Sequence, residues 1–499
     1  MEFLTIQNNQ RVDISSIPVL QYEDFSSFII DLINDNDNHC VNYYGYQDNN
    51  QIKLICCIAN DTQHVIYVTS SIVDKNSELN SISKKHLSFE KFEREIHENF
   101  GINFIGHPWL KPVRYAFNRA DKTKTIANYP FYTIESEELH QVGVGPIHAG
   151  VIEPGHFRFI CNGEQILHLE IQLGYQHRGI EELFLQKKEL IQRATLAENI
   201  AGDTVVGHSV AFANAWESLC DYTPSEALQF DRALALEHER IAIHTGDLSA
   251  ICADIAYQLG NSVLGRLRTP VINYFQQWCG NRLAKSLIRP FKTNFPYNEY
   301  LSEKWFEVFD AFLPDFNEIC EQIFDLPSAL SRLEKTGVVK TEVAAEIGMV
   351  GVAARASNFN RDIRFSHPFG YYKNESFNSI MGKNGDVYSR SKIRMDEANQ
   401  SISFIKEMLK KIPNHEIQEG EIINEPKPNS FVVSLVEGWR GEICHCAITD
   451  EKGELKHYKI KDPSFHNWLA LALSVRNEGI SDFPVCNKSF NLSYCGHDL

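Results

Sequence analysis

Cys444-His445-Cys446 sets three potential metal donors side by side. They lie in the alternating stretch Gly441-Glu442-Ile443-Cys444-His445-Cys446-Ala447-Ile448, which reads as a strand. On a strand, successive side chains point to opposite faces, so both thiols share one side and His445 takes the other. A structural zinc site needs four convergent ligands, and the stretch therefore reads as strand core. The twelve cysteines are otherwise scattered and no Cys-x-x-Cys occurs, which points to reduced thiols in a cytoplasmic protein. No Gly-x-Gly-x-x-Gly follows a strand pattern, so a nucleotide, if one is involved, is bound by another subunit. The other candidates are ionisable: His148, Glu153, His156, Arg158, His177, Arg178, His208, His244 and Arg440. A glutamate in a dry cavity acquires a raised pKa and can relay protons. The same residues can equally form a satisfied buried network that specifies the fold.

These side chains need a scaffold, and the length allows two to four domains, each with its own core. The hydrophobic content of 43% is ordinary for a globular protein. A net charge of −17 argues against nucleic acid and against direct docking on an anionic membrane surface. Met1-Glu2-Phe3-Leu4-Thr5 has neither the basic start nor the apolar core of a signal peptide. No apolar run reaches the ~20 residues of a membrane span, and the stretch 468–475 reads as a buried segment.

The fold class expected is α+β: a small N-terminal α/β domain, then a helical bundle flanked by short antiparallel strands. Residues 1–120 form the first domain, 121–140 a linker and 141–499 the second. Segments 52–59 and 64–69 read as paired strands around the turn Asn60-Asp61-Thr62. Phe89 to Phe100 reads as a helix stopped by Gly101, and 101–109 as a loop. A hairpin region spans about 141–173, and residues 177 to about 280 are strongly helical. Further helices are expected over 305–333 and 393–412, and strands at 430–437, 442–449 and 457–460.

Phe92-Glu93-Arg94-Glu95-Ile96-His97-Glu98-Asn99-Phe100-Gly101-Ile102, followed by Gly106-His107-Pro108, resembles the signature of the small hydrophilic subunit of respiratory complex I. In that family the module is an assembly scaffold without a cofactor, and its charges read as a helix face docking on a neighbour. From about residue 141 the chain resembles the large subunit of group 4 nickel–iron hydrogenases (the membrane-bound, formate hydrogenlyase type) and the quinone-site subunit of complex I. The resemblance rests on Gly145-Pro146-Ile147-His148, Glu153-Pro154-Gly155-His156-Phe157-Arg158, Tyr175 to Glu181, Glu237-His238-Glu239-Arg240 with His244, Gly351 to Ser357, Gly385 to Arg390, and Val436 to Gly441. Seven collinear blocks make it specific.

The same resemblance exposes what is missing. The hydrogenases hold their metals with two cysteine pairs, because nickel and low-spin iron want soft sulfur donors. The positions that match are Ala201 and Thr204 in the early loop and Ser493 and Gly496 near the end. Cys495 is close but displaced. The chain ends three residues past Gly496, with no room for the extension that many nickel hydrogenases lose on maturation. The quinone-binding tyrosine of complex I falls on Gly202, although its partner histidine survives as His148. The arginine preceding this loop in both families is Asn199, and Ile288-Arg289-Pro290-Phe291 lacks the double glycine found there in complex I, so a different backbone is expected.

By resemblance, Glu153 falls on the glutamate that passes protons to the nickel thiolate and Arg440 on the arginine overhanging the metals. His148 joins them as a candidate cavity residue, while His156, Arg158, His177, Arg178 and His208 line the cavity or hold the fold. No metal and no cofactor is expected on this chain; a quinone in the cavity and an iron–sulfur cluster on a partner are what the resemblance implies. Three readings stand. The chain is a large-subunit-like component of a membrane-associated, complex I-like or hydrogenase-related redox complex, of NADH–quinone oxidoreductase or hydrogenase type, with an iron–sulfur partner and an antiporter-like, proton-translocating membrane arm. It is a non-catalytic coupling scaffold of that complex. Or it is a hydrogenase with unusual ligands, which the coordination argument disfavours. The expected location is the inner face of the cytoplasmic membrane, reached through partner subunits.

Overall fold

The computed structural model describes residues 2–149, 152–374, 377–414 and 425–499. The fold is α+β, and its layers can be followed from the N terminus inward. Strands Asn38–Asp48, Gln51–Asn60 and Val65–Val73 form an antiparallel sheet, extended at one edge by Leu4–Ile6 and Val19–Leu20. Its residues alternate faces as a strand requires. Ile52, Leu54, Cys56 and Ile58 pack on the helices Tyr22–Ile33 and Glu90–Phe100, while Ile55, Cys57 and Ala59 join the main core.

The opposing layer comes from the other end of the chain. Strands Ser430–Gly438, Gly441–Thr449 and Leu455–Lys461 form an antiparallel sheet, completed by Val12–Asp13. Asn8 reinforces the link by donating to the Leu435 carbonyl and accepting from its amide. Cys444 and Cys446 share one face, with Asn42 Nδ2 3.7 Å from each sulfur. His445 points the other way, onto His208. The far face of this sheet is covered by the helix Val205–Leu219 through Phe212 and Trp216.

Behind that helix lie Glu226–Asp254, Gln258–Cys279, Glu299–Asp325 and Val387–Met408. Ser225, Asn298 and Asp386 cap three of these by accepting from the first-turn amides. The helical pattern over 305–333 is two helices, Glu299–Asp325 and Pro327–Leu333: Leu326, the residue before Pro327, is extended at ψ 116° and ends the first, which carries Pro314 in its interior. The loop expected at 101–109 contains a strand, Asn103–Ile105, parallel to Glu78–Asn80.

The charged signature helix is also placed differently from the exposed docking face its sequence suggested. Glu90, Glu93, Arg94, Glu95 and Glu98 are all buried within the chain. Glu93 accepts from the Ser81 and Ser83 hydroxyls and the Ile82 amide, and burial pushes its carboxyl up to about 7. Glu98 takes three amides of the segment 113–116, and Glu95 pairs with Arg114 and with Lys459 of the C-terminal sheet. The signature thus ties the first layer to the second.

A larger ionic cluster holds the bundle to the sheet. Glu397 accepts from Arg355 at 2.6 Å, Arg364 at 2.9 Å and His244 at 2.8 Å, all with side chains at 0% exposure. Glu237 joins through Arg240 and Arg364, and Glu437 through Arg355. Removing one member of such a cluster strands the others without water. Glu397→Ala is therefore predicted to cost about 3–5 kcal/mol, read as a large fall in melting temperature. A fall of only a degree or two would show that the cluster does not hold these elements together.

Candidate functional site

The loop between the helices Leu190–Ala197 and Val205–Leu219 carries Ala201, Gly202, Asp203 and Thr204. Facing it is the sheet turn with Trp439 and Arg440. Asp203, which the sequence reading passed over, receives Arg440 in a bidentate pair, with Nη1 to Oδ1 at 2.7 Å and Nη2 to Oδ2 at 2.5 Å. Arg440 Nη1 also donates to Thr204 Oγ1 at 2.9 Å, and its Nε to the Asn491 carbonyl at 2.5 Å. Trp439 Nε1 donates to the Asp203 carbonyl at 2.7 Å. Burial alone would lower the pKa of this guanidinium, but the Asp203 carboxylate overrides it and raises it. Arg440 is thus clamped onto the loop.

The C-terminal segment closes the other side. Ser493 caps the short helix Tyr494–Asp498 by accepting from the Gly496 amide at 2.9 Å. Gly496 stands where no side chain fits: an added Cβ would lie 2.7 Å from Asp462 Oδ2. Asp462 in turn accepts from His208 Nε2 at 3.1 Å. Since a carboxylate only accepts, Nε2 carries the proton and His208 Nδ1 is the acceptor of the 3.1 Å bond from His445 Nε2. His445 Nδ1 then accepts from the Tyr458 hydroxyl at 2.8 Å. The result is a directed hydrogen-bond row, Tyr458 to His445 to His208 to Asp462. Burial pushes the Asp462 carboxyl up, yet the hydrogen bond from His208, with Arg440 nearby, holds it down at about 2.

A nickel–iron centre does not fit these residues. Ala201 offers no donor, Thr204 Oγ1 is engaged by Arg440 and Asp203, Ser493 Oγ is engaged in the cap, and Gly496 has no space for a ligand. Cys495 is half-buried, burial and the nearby Glu153 push its thiol up to about 11, and one thiol cannot replace two cysteine pairs.

The other candidates are only partly gathered here. Glu153 Oε2 accepts from the Tyr494 and Cys495 amides at 3.2 and 3.4 Å, reaching the first turn of the closing helix. Gly155 permits this approach, because a Cβ there would meet the Tyr494 ring at 2.6 Å. Arg178 bridges both halves, donating to the Asn199, Ile200 and Cys495 carbonyls, and His177 bonds the Asp498 carbonyl at 2.8 Å. His148 and His156 bond the carbonyls of Gly155 and Gly145 within their own hairpin. Arg158 stacks over Phe131 with its carbon 4.6 Å from the ring centre and donates to Gln141. Gly202 is exposed and an added Cβ there would meet nothing within 4 Å.

Two residues of the neighbouring loop take distinctive environments. Asn199 leaves no arginine at its position, but Lys285 Nζ lies 2.7 Å from its Oδ1 and supplies a cation. Phe291, where complex I has glycine, adopts φ 68°, the left-handed region that glycine favours. Glu217 holds it there by accepting from its amide at 2.6 Å. Asp203, Asp462 and Lys285 were not found from the sequence. The one usable signal was Asp203 itself, an acid inside a loop expected to carry metal ligands.

Glu239 adds a titratable group beneath the loop. Buried at 6% exposure, it accepts from the Val206 and Gly207 amides at 2.8 and 3.3 Å. Burial pushes its carboxyl up to about 8, against those bonds, with Asp203 adding to the rise. In the unfolded chain it titrates near about 4.3. Between these two values the folded state keeps a proton that the unfolded state releases, so stability falls as pH rises through that window. Glu239→Gln is predicted to raise the melting temperature at pH ~8.5 and leave it unchanged near pH ~4. An equal or lower value at the higher pH would contradict this.

The chain is similar to known proteins over most of its length. Residues 19–119 match the family model of the respiratory-chain NADH dehydrogenase 30 Kd subunit, and residues 260–430 that of the 49 Kd subunit. Hydrogenase-4 component G of Escherichia coli (strain K12) is 25% identical over 448 residues, covering 86% of this chain and 77% of that protein. The C/D-type subunit of the NADH-quinone oxidoreductase of Phocaeicola vulgatus is 26% identical over 450 residues, covering 81% and 83%. The D-type subunit of the NADH-quinone oxidoreductase of Dehalococcoides mccartyi (strain ATCC BAA-2100) is 29% identical over 360 residues, covering 70% and 96%. With both modules in order along one chain, the protein is similar to the 30 Kd and 49 Kd subunits of respiratory-chain NADH dehydrogenases and to hydrogenase subunits.

Proposed function

We propose that this chain is the large-subunit-like component of a membrane-associated, complex I-like or hydrogenase-related redox assembly, and that its former metal cage acts in it as an ion-paired coupling junction. The observation that carries this reading is the Asp203–Arg440 clamp, together with the engagement of Thr204 and Ser493 and the crowding of Gly496 by Asp462. Electrons are carried by an iron–sulfur partner docked near Lys285 and the exposed Gly202. A quinone, if the assembly uses one, is met at that outer face. An antiporter-like membrane arm anchors the complex at the inner face of the cytoplasmic membrane; no helix among the described residues is long and apolar enough to cross it.

In this reading Arg440 and Asp203 position the loop against the C-terminal helix, and Glu153 presents a carboxylate beside Cys495. The row from Tyr458 to Asp462 keeps each proton directed inward. No bond to hydrogen or to a metal enters the scheme. The scaffold reading is favoured over metal catalysis by the donor set itself.

The test is recovery of the native assembly through an affinity tag on this chain. An iron–sulfur subunit and integral membrane subunits are expected to co-purify; recovery of the chain alone in repeated preparations would sink the proposal. Asp203 is 38% exposed but Arg440 only 3%, so Asp203→Ala strands a buried guanidinium and costs about 3 kcal/mol; assembly is expected to persist and is checked by the same co-purification. Coupled proton transport by that assembly is expected to fall by about tenfold or more. Unchanged transport in Asp203→Ala and in Glu153→Gln would remove the coupling role.

A further inference from the structure

The apolar stretch 468–475 reads as buried, but only part of it is. Trp468 is buried, whereas Leu469, Ala472 and Leu473 stay partly exposed. Residues 468, 469, 472 and 473 recur at helical spacing, so they form one stripe along the helix Ser464–Ser474. All four line a cavity of ≈ 420 Å³, the size of a small-molecule site. None of Glu153, Asp203, Thr204 or Arg440 lines it.

The facing wall is aliphatic as well. Leu110, Pro112 and Val113 come from the loop 108–113, and Leu169 and Ile171 from the strand Gln165–Gln172. Trp109 stands in the same wall, half-buried, with its Nε1 already donating to Glu90 at 3.1 Å. Such walls gain most from a hydrocarbon body, because each methylene withdrawn from water adds to binding.

The charges around the cavity do not cancel. The protein as a whole carries −17, yet four cations, Lys91, Arg94, Lys111 and Arg476, line the cavity against two carboxylates, Glu90 and Glu170. Both carboxylates are taken. Glu90 holds Lys91 at 3.2 Å and Arg94 at 3.1 Å, and Glu170 holds Lys111 and accepts from the Tyr132 amide at 2.7 Å. Arg476 follows two residues past the end of the lining helix, is exposed, and forms no ion pair with a described residue. Its charge is felt inside the cavity: burial lowers the pKa of His168, a residue of the wall, and Arg476 lowers it further. An uncompensated guanidinium thus stands at one end of an aliphatic slot.

We propose that this cavity binds a fatty acid, with its acyl chain between the stripe of Trp468, Leu469 and Leu473 and the facing Leu110 and Leu169, and its carboxylate on Arg476. Two separate demands set the class: a hydrocarbon body for the walls and one negative charge for the guanidinium. This site is independent of the coupling junction and stands or falls without it.

The test titrates octanoate, decanoate and dodecanoate calorimetrically into the full chain, below their micellar concentrations. Affinity is expected to rise about threefold per added methylene. Decanoate is expected to bind about threefold or more tightly than 1-decanol, which lacks the charge, and tighter still than decyltrimethylammonium, which reverses it. Arg476→Gln is expected to bring decanoate down to the affinity of 1-decanol and to leave 1-decanol unchanged, a pattern that a general loss of structure would not give. Leu473→Trp fills the slot and is expected to abolish binding while the circular dichroism melt stays cooperative; if that variant does not fold, Ala472→Phe narrows the same slot. No binding of dodecanoate, affinity independent of chain length, decyltrimethylammonium binding as tightly as decanoate, or binding unchanged in the filled variant would each overturn the proposal.

Discussion

A guanidinium taken out of water needs a carboxylate, and the architecture of this chain is organised around meeting that need. Arg240, Arg355 and Arg364 lie at the centre of the bundle, where Glu237, Asp362, Glu397 and Glu437 answer them. These partners come from two helices, a strand and the short turn at 361–366, so the ion pairs dictate how those elements meet. Truncating one partner costs more than an intact pair contributes, because the other charge is left buried alone. Arg440 is the same problem at the edge of the cluster. In a metal-bearing relative an arginine here would face the metal cage; in this chain Asp203 meets it, and the loop that would carry two thiolates is drawn onto it.

That substitution explains why the other changes go together. With the loop tied to Arg440, Thr204 becomes a hydrogen-bond partner of the guanidinium. Ser493 becomes a helix cap, and Gly496 leaves space for the Asp462 carboxylate. Asp462 then terminates the row of His208, His445 and Tyr458, and its own charge lies close enough to Arg440 to be stabilised by it. Thr204, Ser493 and Gly496 therefore stand at one polar junction, to which Ala201 brings no donor.

Much of this was legible in the residues. The strand alternation of 52–59 and 441–448, the helix stop at Gly101 and the collinear signature blocks all survive, because local periodicity and caps report directly on backbone state. That Ala201, Thr204, Ser493 and Gly496 stand where the relatives have ligands is what the resemblance implied, and side-chain chemistry then told that they are poor donors. What could not be read were partners distant in sequence. Asp203 and Arg440 are 237 residues apart, and no spacing rule links them. Asp462 and Lys285 are of the same kind. The inward turn of Glu90, Glu93, Glu95 and Glu98 was hidden because a charged helix face reads as solvated until its buried donors are seen. The break at Pro327 was missed because apolar spacing continued across it.

The central claim is that the cage has become a protein-only junction. Its most direct test is the metal content of the intact native complex, measured by inductively coupled plasma mass spectrometry and normalised to this chain, with hydrogen uptake assayed on the same sample. The account predicts iron from the partner clusters, nickel far below one atom per chain and no hydrogen uptake. Nickel close to one atom per chain, accompanied by hydrogen uptake, would contradict it.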